Sequence, residues 1–398
     1  MPNARVLTVA GGASSRERFA QYLSEARIAE AANAADASAI VVDAAGSGAG
    51  ELAAALREAG ASAWCEGGRL VVAGTREAFS RARASSSGAA HELGGEVLRA
   101  FDADRNGPPV LRLRDRSLDF GERARVMGIL NVTPNSPSDL GRYSGEREAR
   151  ERAAEMVAQG ADIIDVGGQS YSGEATAPDE ELGRVLPIVR ALVADGLGVP
   201  ISVDTFRSSV AEPVLAAGAH LINDCSGLSD ERMAGVVARA GAGLVVMHLK
   251  GRLNVRDPNY PYDDVMGEIL EYLRERTDRA RAAGVCADAI VVDPGLEFGK
   301  EPATDLEILE RFGDLRSLGY PILLAASRKR FIGRIFNLPI GKRLIPSLAT
   351  AALGIAAGAR LVRVHDVAET VAIARTLGVT RAQNRARVVA LAEAPEET

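Results

Sequence analysis

From about residue 124 onward one motif repeats: a short, continuous apolar run, then a longer stretch of helical periodicity. The runs fall at 126–131, 162–166, 201–204, 220–223, 244–248, 289–293, 322–326 and 361–364. The helical stretches fall at 146–159, 179–194, 208–217, 230–240, 262–283, 305–315, 346–357 and 367–377. Runs of Val, Ile and Leu without alternation are buried on both faces, as in a parallel sheet. Parallel neighbours need crossover helices, so the class is α/β. Eight such units in roughly 255 residues make one (β/α)8 TIM barrel. A doubly wound open sheet shares the alternation, but eight repeats with no dinucleotide glycine fingerprint favour closure.

Composition and pattern differ before residue 120. Apolar runs at 5–9, 39–42 and 69–73 alternate with Ala/Glu/Arg-rich helical stretches at 16–34 and 50–59, and a polar segment follows at 102–109. This predicts a small N-terminal α/β domain over 1–120, a barrel over 121–380 and a tail over 381–398. Gly11-Gly12 follows a strand-like run but lacks the lysine of a phosphate loop, so it is expected to be a plain turn. A net charge of −6 and a broad mix of charges argue against nucleic acid as a partner. The three cysteines, Cys65, Cys225 and Cys286, form no CxxC pair and are expected to be small buried hydrophobes in a reducing compartment. With no signal-like start and no apolar stretch near the ~20 residues a membrane helix needs, a cytoplasmic protein is expected.

In a TIM barrel the chemistry sits at the carboxyl ends of the strands. Here the first run ends in Asn131 and the second enters Gly167-Gly168-Gln169-Ser170. The third ends in Asp204, the fourth in Asn223-Asp224, the fifth in Met247-His248. The sixth ends in Asp293-Pro294-Gly295, the seventh leads into Ser327-Arg328-Lys329, and the eighth ends in Arg363-Val364-His365-Asp366. Each has a bland reading alone: Asp204 could cap a helix, Asp293-Pro294-Gly295 makes a good turn, and Arg328 or Lys329 suits a solvated surface. Repeated at corresponding positions of every unit, they converge on one funnel, where burial is costly unless a polar ligand satisfies them.

The residue types suggest the ligand. Asp204, Asn223 and Asp293 offer acceptors and amide contacts to a flat heterocycle with several N–H donors, and a carboxylate can take two such bonds side by side. Lys329 supplies a donor for a ring carbonyl. Arg363 and His365 stand where barrels often bind phosphate. Asn131 and Asp139 supply hard oxygens that could hold Mg²⁺ against a diphosphate. No Ser-His-Asp or Cys-His arrangement points to a covalent nucleophile. Metal-assisted departure of diphosphate is the simplest chemistry this inventory supports.

The segments Met127–Pro134, Asp162–Gly168, Ile201–Thr205, Ile222–Asp224, Met247–Gly251, Asp293–Lys300, Ser327–Lys329 and Arg363–Asp366 resemble those of dihydropteroate synthases, in the same order and spanning about residues 125–378. The N-terminal unit looks like an extension found in some members. The resemblance implies a barrel that condenses 6-hydroxymethyl-7,8-dihydropterin diphosphate with p-aminobenzoate, working on small molecules as a homodimer. It implies that Asp204, Asn223, Asp293 and Lys329 hold the pterin, with Met247 against its ring. Asn131, Arg363 and His365 would engage diphosphate and Mg²⁺, with Asp139 closing from the first loop; Asp139, Lys329 and Asn131 would be the catalytic set. Phe298, Ser170, Tyr171 and Pro137 would line the arylamine slot. Diphosphate would leave early, giving a cationic pterin methylene for the arylamine nitrogen to attack.

Three positions depart from the family pattern. The first loop, usually Asp-Ser-Phe-Ser-Asp, reads Asn135-Ser136-Pro137-Ser138-Asp139. The second, usually Glu-Ser-Thr-Arg-Pro-Gly, reads Gln169-Ser170-Tyr171-Ser172-Gly173-Glu174. Glu297 stands where glycine is usual, which would strain the turn if that position has positive φ. The first two changes fall on the arylamine side, so altered arylamine and sulfonamide recognition is expected. Two other readings share these motifs: a pterin-binding homologue with another amine or no synthase activity, and a corrinoid-linked methyltransferase. Ser327-Arg328-Lys329, the Arg363–Asp366 segment and the lack of a cobalamin domain speak against the last.

Overall fold

The computed structural model describes residues 3–6, 37–43, 48–66, 69–106, 110–134, 141–143, 145–169, 176–253 and 260–380. Gly11, Gly12, Pro137, Asp139, Ser170, Tyr171 and the tail 381–398 lie outside them. The chain divides into two compact units, one from Met1–Pro108, Asp263–Glu271 and Leu306–Tyr320, the other from Pro109–Tyr262, Tyr272–Asp305 and Pro321–Thr398.

In the first unit β1 (Asn3–Val6), β2 (Ala37–Asp43), β3 (Ser62–Glu66) and β4 (Arg69–Thr75) form an antiparallel sheet in the order β1-β2-β4-β3. Ile40, Val42, Leu70 and Val72 pack with Leu52 and Leu56 of the helix Ala49–Glu58. Phe79 and Phe101, from the helices Arg76–Ala84 and Gly88–Asn106, complete this core edge to face with centroids 5.6 Å apart.

The second unit opens with a hairpin, β5 (Val110–Leu113) and β6 (Arg116–Asp119). Alternation turns Leu111 and Leu113 inward, where with Leu118 and Phe120 they join Met127, Ile163, Leu221, Val245, Val291, Leu323 and Leu361 at the strand starts. Gly243 makes room: a Cβ there would lie 2.4 Å from Leu113 Cδ2.

Above this plug run β7 (Arg125–Asn131), β8 (Ile163–Gly167), β9 (Ile201–Asp204), β10 (Leu221–Asp224), β11 (Gly243–Met247), β12 (Ile290–Asp293), β13 (Leu323–Leu324) and β14 (Leu361–Val364). All pair in parallel, in the order β12-β11-β10-β9-β8-β7-β14-β13, and a parallel bridge between Val292 and Ile322 closes the ring. The TIM barrel read from the repeats is thus the fold. The expected strand 322–326 is shorter, because the chain leaves the ladder after Leu324 to turn into Ser327-Arg328-Lys329. A helix at Arg330–Phe336 was not anticipated; its seven residues are too few to show a clear period.

Only Cys225 of the three cysteines is buried, which corrects the expectation for Cys65 and Cys286. Cys65 lies one residue from the end of edge strand β3, and Cys286 lies just before a short 3-10 turn. No helix among the described residues is long and apolar enough to cross a membrane.

Candidate active site

Because all eight strands point the same way, their carboxyl ends share one mouth. Asn131 is level with Gly167, Gly167 with Asp204, and Asp204 with Asn223. Farther round, Met247 is level with Asp293. Gly167 leaves space between neighbours: a Cβ there would sit 3.4 Å from Asn131 Oδ1 and 4.0 Å from Asp204 Oδ2.

At the centre stands Asp165, fully buried in β8 and overlooked from sequence. It accepts from Ser202 Oγ at 2.5 Å, Asn223 Nδ2 at 3.1 Å and Arg363 Nε at 2.6 Å. Arg363 Nη2 also donates to Asp204 Oδ2 at 2.8 Å. Burial works against the Arg363 charge, but Asp165 and Asp204 more than offset it and hold the guanidinium protonated. Two nitrogens of Arg363, expected on diphosphate, are thus committed to carboxylates inside the barrel. By donating Nδ2 to Asp165, Asn223 keeps its amide oxygen as an acceptor for a ligand N–H. A charged residue inside an apolar strand was the available signal for Asp165.

Asp293 is buried at the mouth and accepts from the Gly295 N–H at 2.7 Å. Burial lifts its carboxyl above the ordinary aspartate value, against the pull of Lys329. Lys329 Nζ donates to Leu296 O at 2.7 Å and lies 5.1 Å from the Phe298 ring centre. Lys329, expected on the pterin, and Phe298, expected in the arylamine slot, are therefore neighbours. Between them Glu297 has φ +69°, the strained left-handed conformation expected if the usual glycine were needed there.

Beneath this turn lies Lys300, a second residue passed over from sequence. Its three donors meet Gly295 O at 2.8 Å, Phe298 O at 2.9 Å and His248 Nδ1 at 2.8 Å. Burial pushes Lys300 down to about 7, and burial with Lys300 nearby keeps His248 neutral. Lys300 thus ties the turn after β12 to the end of β11.

His365 is held by Ser327, whose Oγ accepts from the His365 N–H at 3.2 Å and lies 3.0 Å from Nδ1. In the tautomer that carries its proton on Nε2, the hydroxyl donates to Nδ1 and Nε2–H is a donor. Arg328, also at positive φ, pairs with Asp366 alongside, with Nε to Oδ2 at 3.0 Å and Nη2 to Oδ1 at 2.5 Å. Burial, with Arg328, Arg363 and Arg152 near, pushes the imidazole from 6.5 down to about 3. The unfolded ring takes a proton below about pH 6.5, whereas the native ring resists until about 3. Stability from this site is full above pH 6.5 and is lost as pH falls toward 3. His365→Gln should therefore show a weaker acid dependence in denaturant titrations, by about 2 kcal/mol between pH 7 and 5. Equal slopes would contradict a buried neutral ring.

The second loop springs from Gln169 and returns at Thr176, and Arg207 holds both ends. Its guanidinium donates to Gln169 Oε1 at 2.6 Å and Thr176 O at 2.8 Å, and pairs with the buried Glu181 carboxylate. Arg207, too, was missed, since one arginine after a strand carries no pattern. The second loop's Ser170 and Tyr171, and the first loop's Pro137 and Asp139, are outside the described residues. Among the described residues, no group of three or more His, Cys, Asp or Glu could hold a metal ion.

Residues 127–365 match the family model described as pterin binding enzyme. The dihydropteroate synthase of Bacillus subtilis is 41% identical over 271 residues, covering 67% of this chain and 92% of its own length. Among solved structures, a Yersinia pestis dihydropteroate synthase with a sulfonamide drug aligns with a TM-score of 0.66 and 37% identity, covering 69% of this chain and 99% of that one. A Xanthomonas albilineans dihydropteroate synthase with 4-aminobenzoic acid aligns with a TM-score of 0.63 and 37% identity, covering 69% of this chain and 98% of that one. Fold, rim and kinship agree: the chain belongs to the pterin-binding enzymes, in the dihydropteroate synthase family.

Proposed function

We propose that this barrel is a transferase of folate biosynthesis that joins 6-hydroxymethyl-7,8-dihydropterin diphosphate to p-aminobenzoate, giving 7,8-dihydropteroate and diphosphate. The observation that carries the reading is the buried polar cluster of Asp165, Asp204, Asn223 and Arg363 beside Asp293 at one barrel mouth. Solvent does not satisfy such groups, and a planar ring bearing N–H donors on one edge and a carbonyl on another does. Asn223, Asp204 and Asp293 take the ring donors, Lys329 meets the carbonyl and Met247 packs against the face.

The methylene C–O bond breaks with its electrons leaving on diphosphate, and the arylamine nitrogen forms the new C–N bond and releases a proton. Neutral His365 offers Nε2–H to the departing anion, a donor fixed in place before charge develops. Mg²⁺ would be held by Asn131 and Asp139. That sparse, hard-oxygen donor set suits an ion that keeps waters and takes its other ligands from phosphate. When bound, it would neutralise charge on the leaving group. The protein is proposed to act in the cytoplasm as a homodimer; exposed Phe336, Ile345 and Leu353 on the helices between β13 and β14 support pairing.

The test is diphosphate release with both substrates present. Turnover dependent on p-aminobenzoate is expected, with sulfonamide inhibition shifted by the altered loops. A second reading, another arylamine or none, rests on Gln169 and the first-loop changes. Pterin diphosphate binding without p-aminobenzoate turnover would select it.

A further inference from the structure

Glu297 holds a backbone conformation that glycine would adopt freely, and its side chain is engaged. Oε1 accepts from the Phe331 N–H at 2.5 Å, and Oε2 lies 3.7 Å from Arg330 Nε. Those two residues open the helix Arg330–Phe336, whose preceding cap residue is Lys329. The turn is pinned from its other side as well, since the Glu297 N–H donates to buried Asp305 Oδ1 at 2.9 Å. Lys329 Nζ returns to the same turn at Leu296 O. The chain after β12 and the chain after β13 are therefore tied twice, by Glu297 to Phe331 and by Lys329 to Leu296. Rotation of the short helix would carry Lys329 with it, and Glu297 opposes that rotation.

We propose that Glu297 is a positioning residue for Lys329, holding the ammonium at the pterin pocket through the first turn of the following helix. The inference rests on the assignment of Lys329 to the pterin. It explains why a strained turn is kept: the carboxylate that the strain carries fixes a binding group one residue outside the helix it caps. Glutamine retains an acceptor oxygen at the same reach and should preserve the tie. Glycine relaxes the backbone and removes the tie, so stability and affinity should move separately.

The experiment measures thermal midpoint, pterin diphosphate Kd by calorimetry, and KM and kcat for Glu297→Gly and Glu297→Gln, each alone and with Lys329→Ala. Glu297→Gly is expected to melt no lower than wild type, with Kd and KM raised about tenfold and kcat within about twofold. Glu297→Gln should stay within about twofold in all of these, and Glu297→Gly should add nothing in the Lys329→Ala background. If glycine lowers the midpoint, Glu297→Asn makes the same cut, because asparagine tolerates positive φ but is a methylene shorter. Wild-type affinity in both Glu297→Gly and Glu297→Asn overturns the proposal, and so does an undiminished effect without Lys329. Wild-type protein that binds no pterin diphosphate would overturn the functional reading and this inference together. Binding by wild type with unchanged glycine and asparagine variants would overturn this inference alone.

Discussion

Arg363→Ala is expected to cost about 3–5 kcal/mol of folding stability, the largest effect of any single substitution at this site. The reason is what the change strands. Asp165 is fully buried and Asp204 nearly so, and Arg363 is the cation that both engage. Removing it leaves two buried carboxylates on adjacent strands without the cation they share. Urea unfolding would measure the loss, and its pH dependence identifies the cause. In the variant the native carboxylates take up protons more readily than in the unfolded chain, so the deficit should shrink as pH falls from 8 toward 5. Arg363→Lys should lie between, because an ammonium keeps the charge but cannot span both acids with a rigid fork. A loss below about 1 kcal/mol would mean that the buried triad does not organise the barrel interior.

Lys329→Ala should instead spare stability and weaken pterin diphosphate affinity by about 1.5–3 kcal/mol, roughly ten- to hundredfold. One of its three donors is committed to Leu296 O, which leaves two for a ring carbonyl. Its charge also lowers the Asp293 carboxyl, so without Lys329 that acid should titrate higher and ligand binding should become more sensitive to pH. Unchanged affinity would remove Lys329 from the pocket. It would leave Asp204, Asn223 and Asp293 as acceptors with no donor for the carbonyl edge.

The barrel was legible because it is periodic. Eight apolar runs with crossover helices leave few topologies, and strands 201–204 and 361–364 were placed to the residue. The site was legible where a polar residue ends a strand, as for Asn131, Asp204, Asn223 and Asp293. It was not legible where function depends on reach. Asp165 sits below the rim and matters only because Arg363, from a strand distant in sequence, extends to it. Lys300 and Arg207 act on backbone carbonyls and loop ends, and such partners leave no spacing to read. The strained Glu297 was foreseen from the displaced glycine, but its bond to Phe331 required the fold. The hairpin at 110–119 has a core role through Leu111 and Leu113, two residues too few to show a period.

The mouth of this barrel is proposed to receive a pterin carrying diphosphate. Calorimetric titration of 6-hydroxymethyl-7,8-dihydropterin diphosphate into the protein with Mg²⁺ tests it directly. Saturable heat at one site per chain is expected, abolished or much weakened in Asp293→Ala while that variant remains folded. No heat from the wild-type protein, or equal heat from Asp293→Ala, would contradict it.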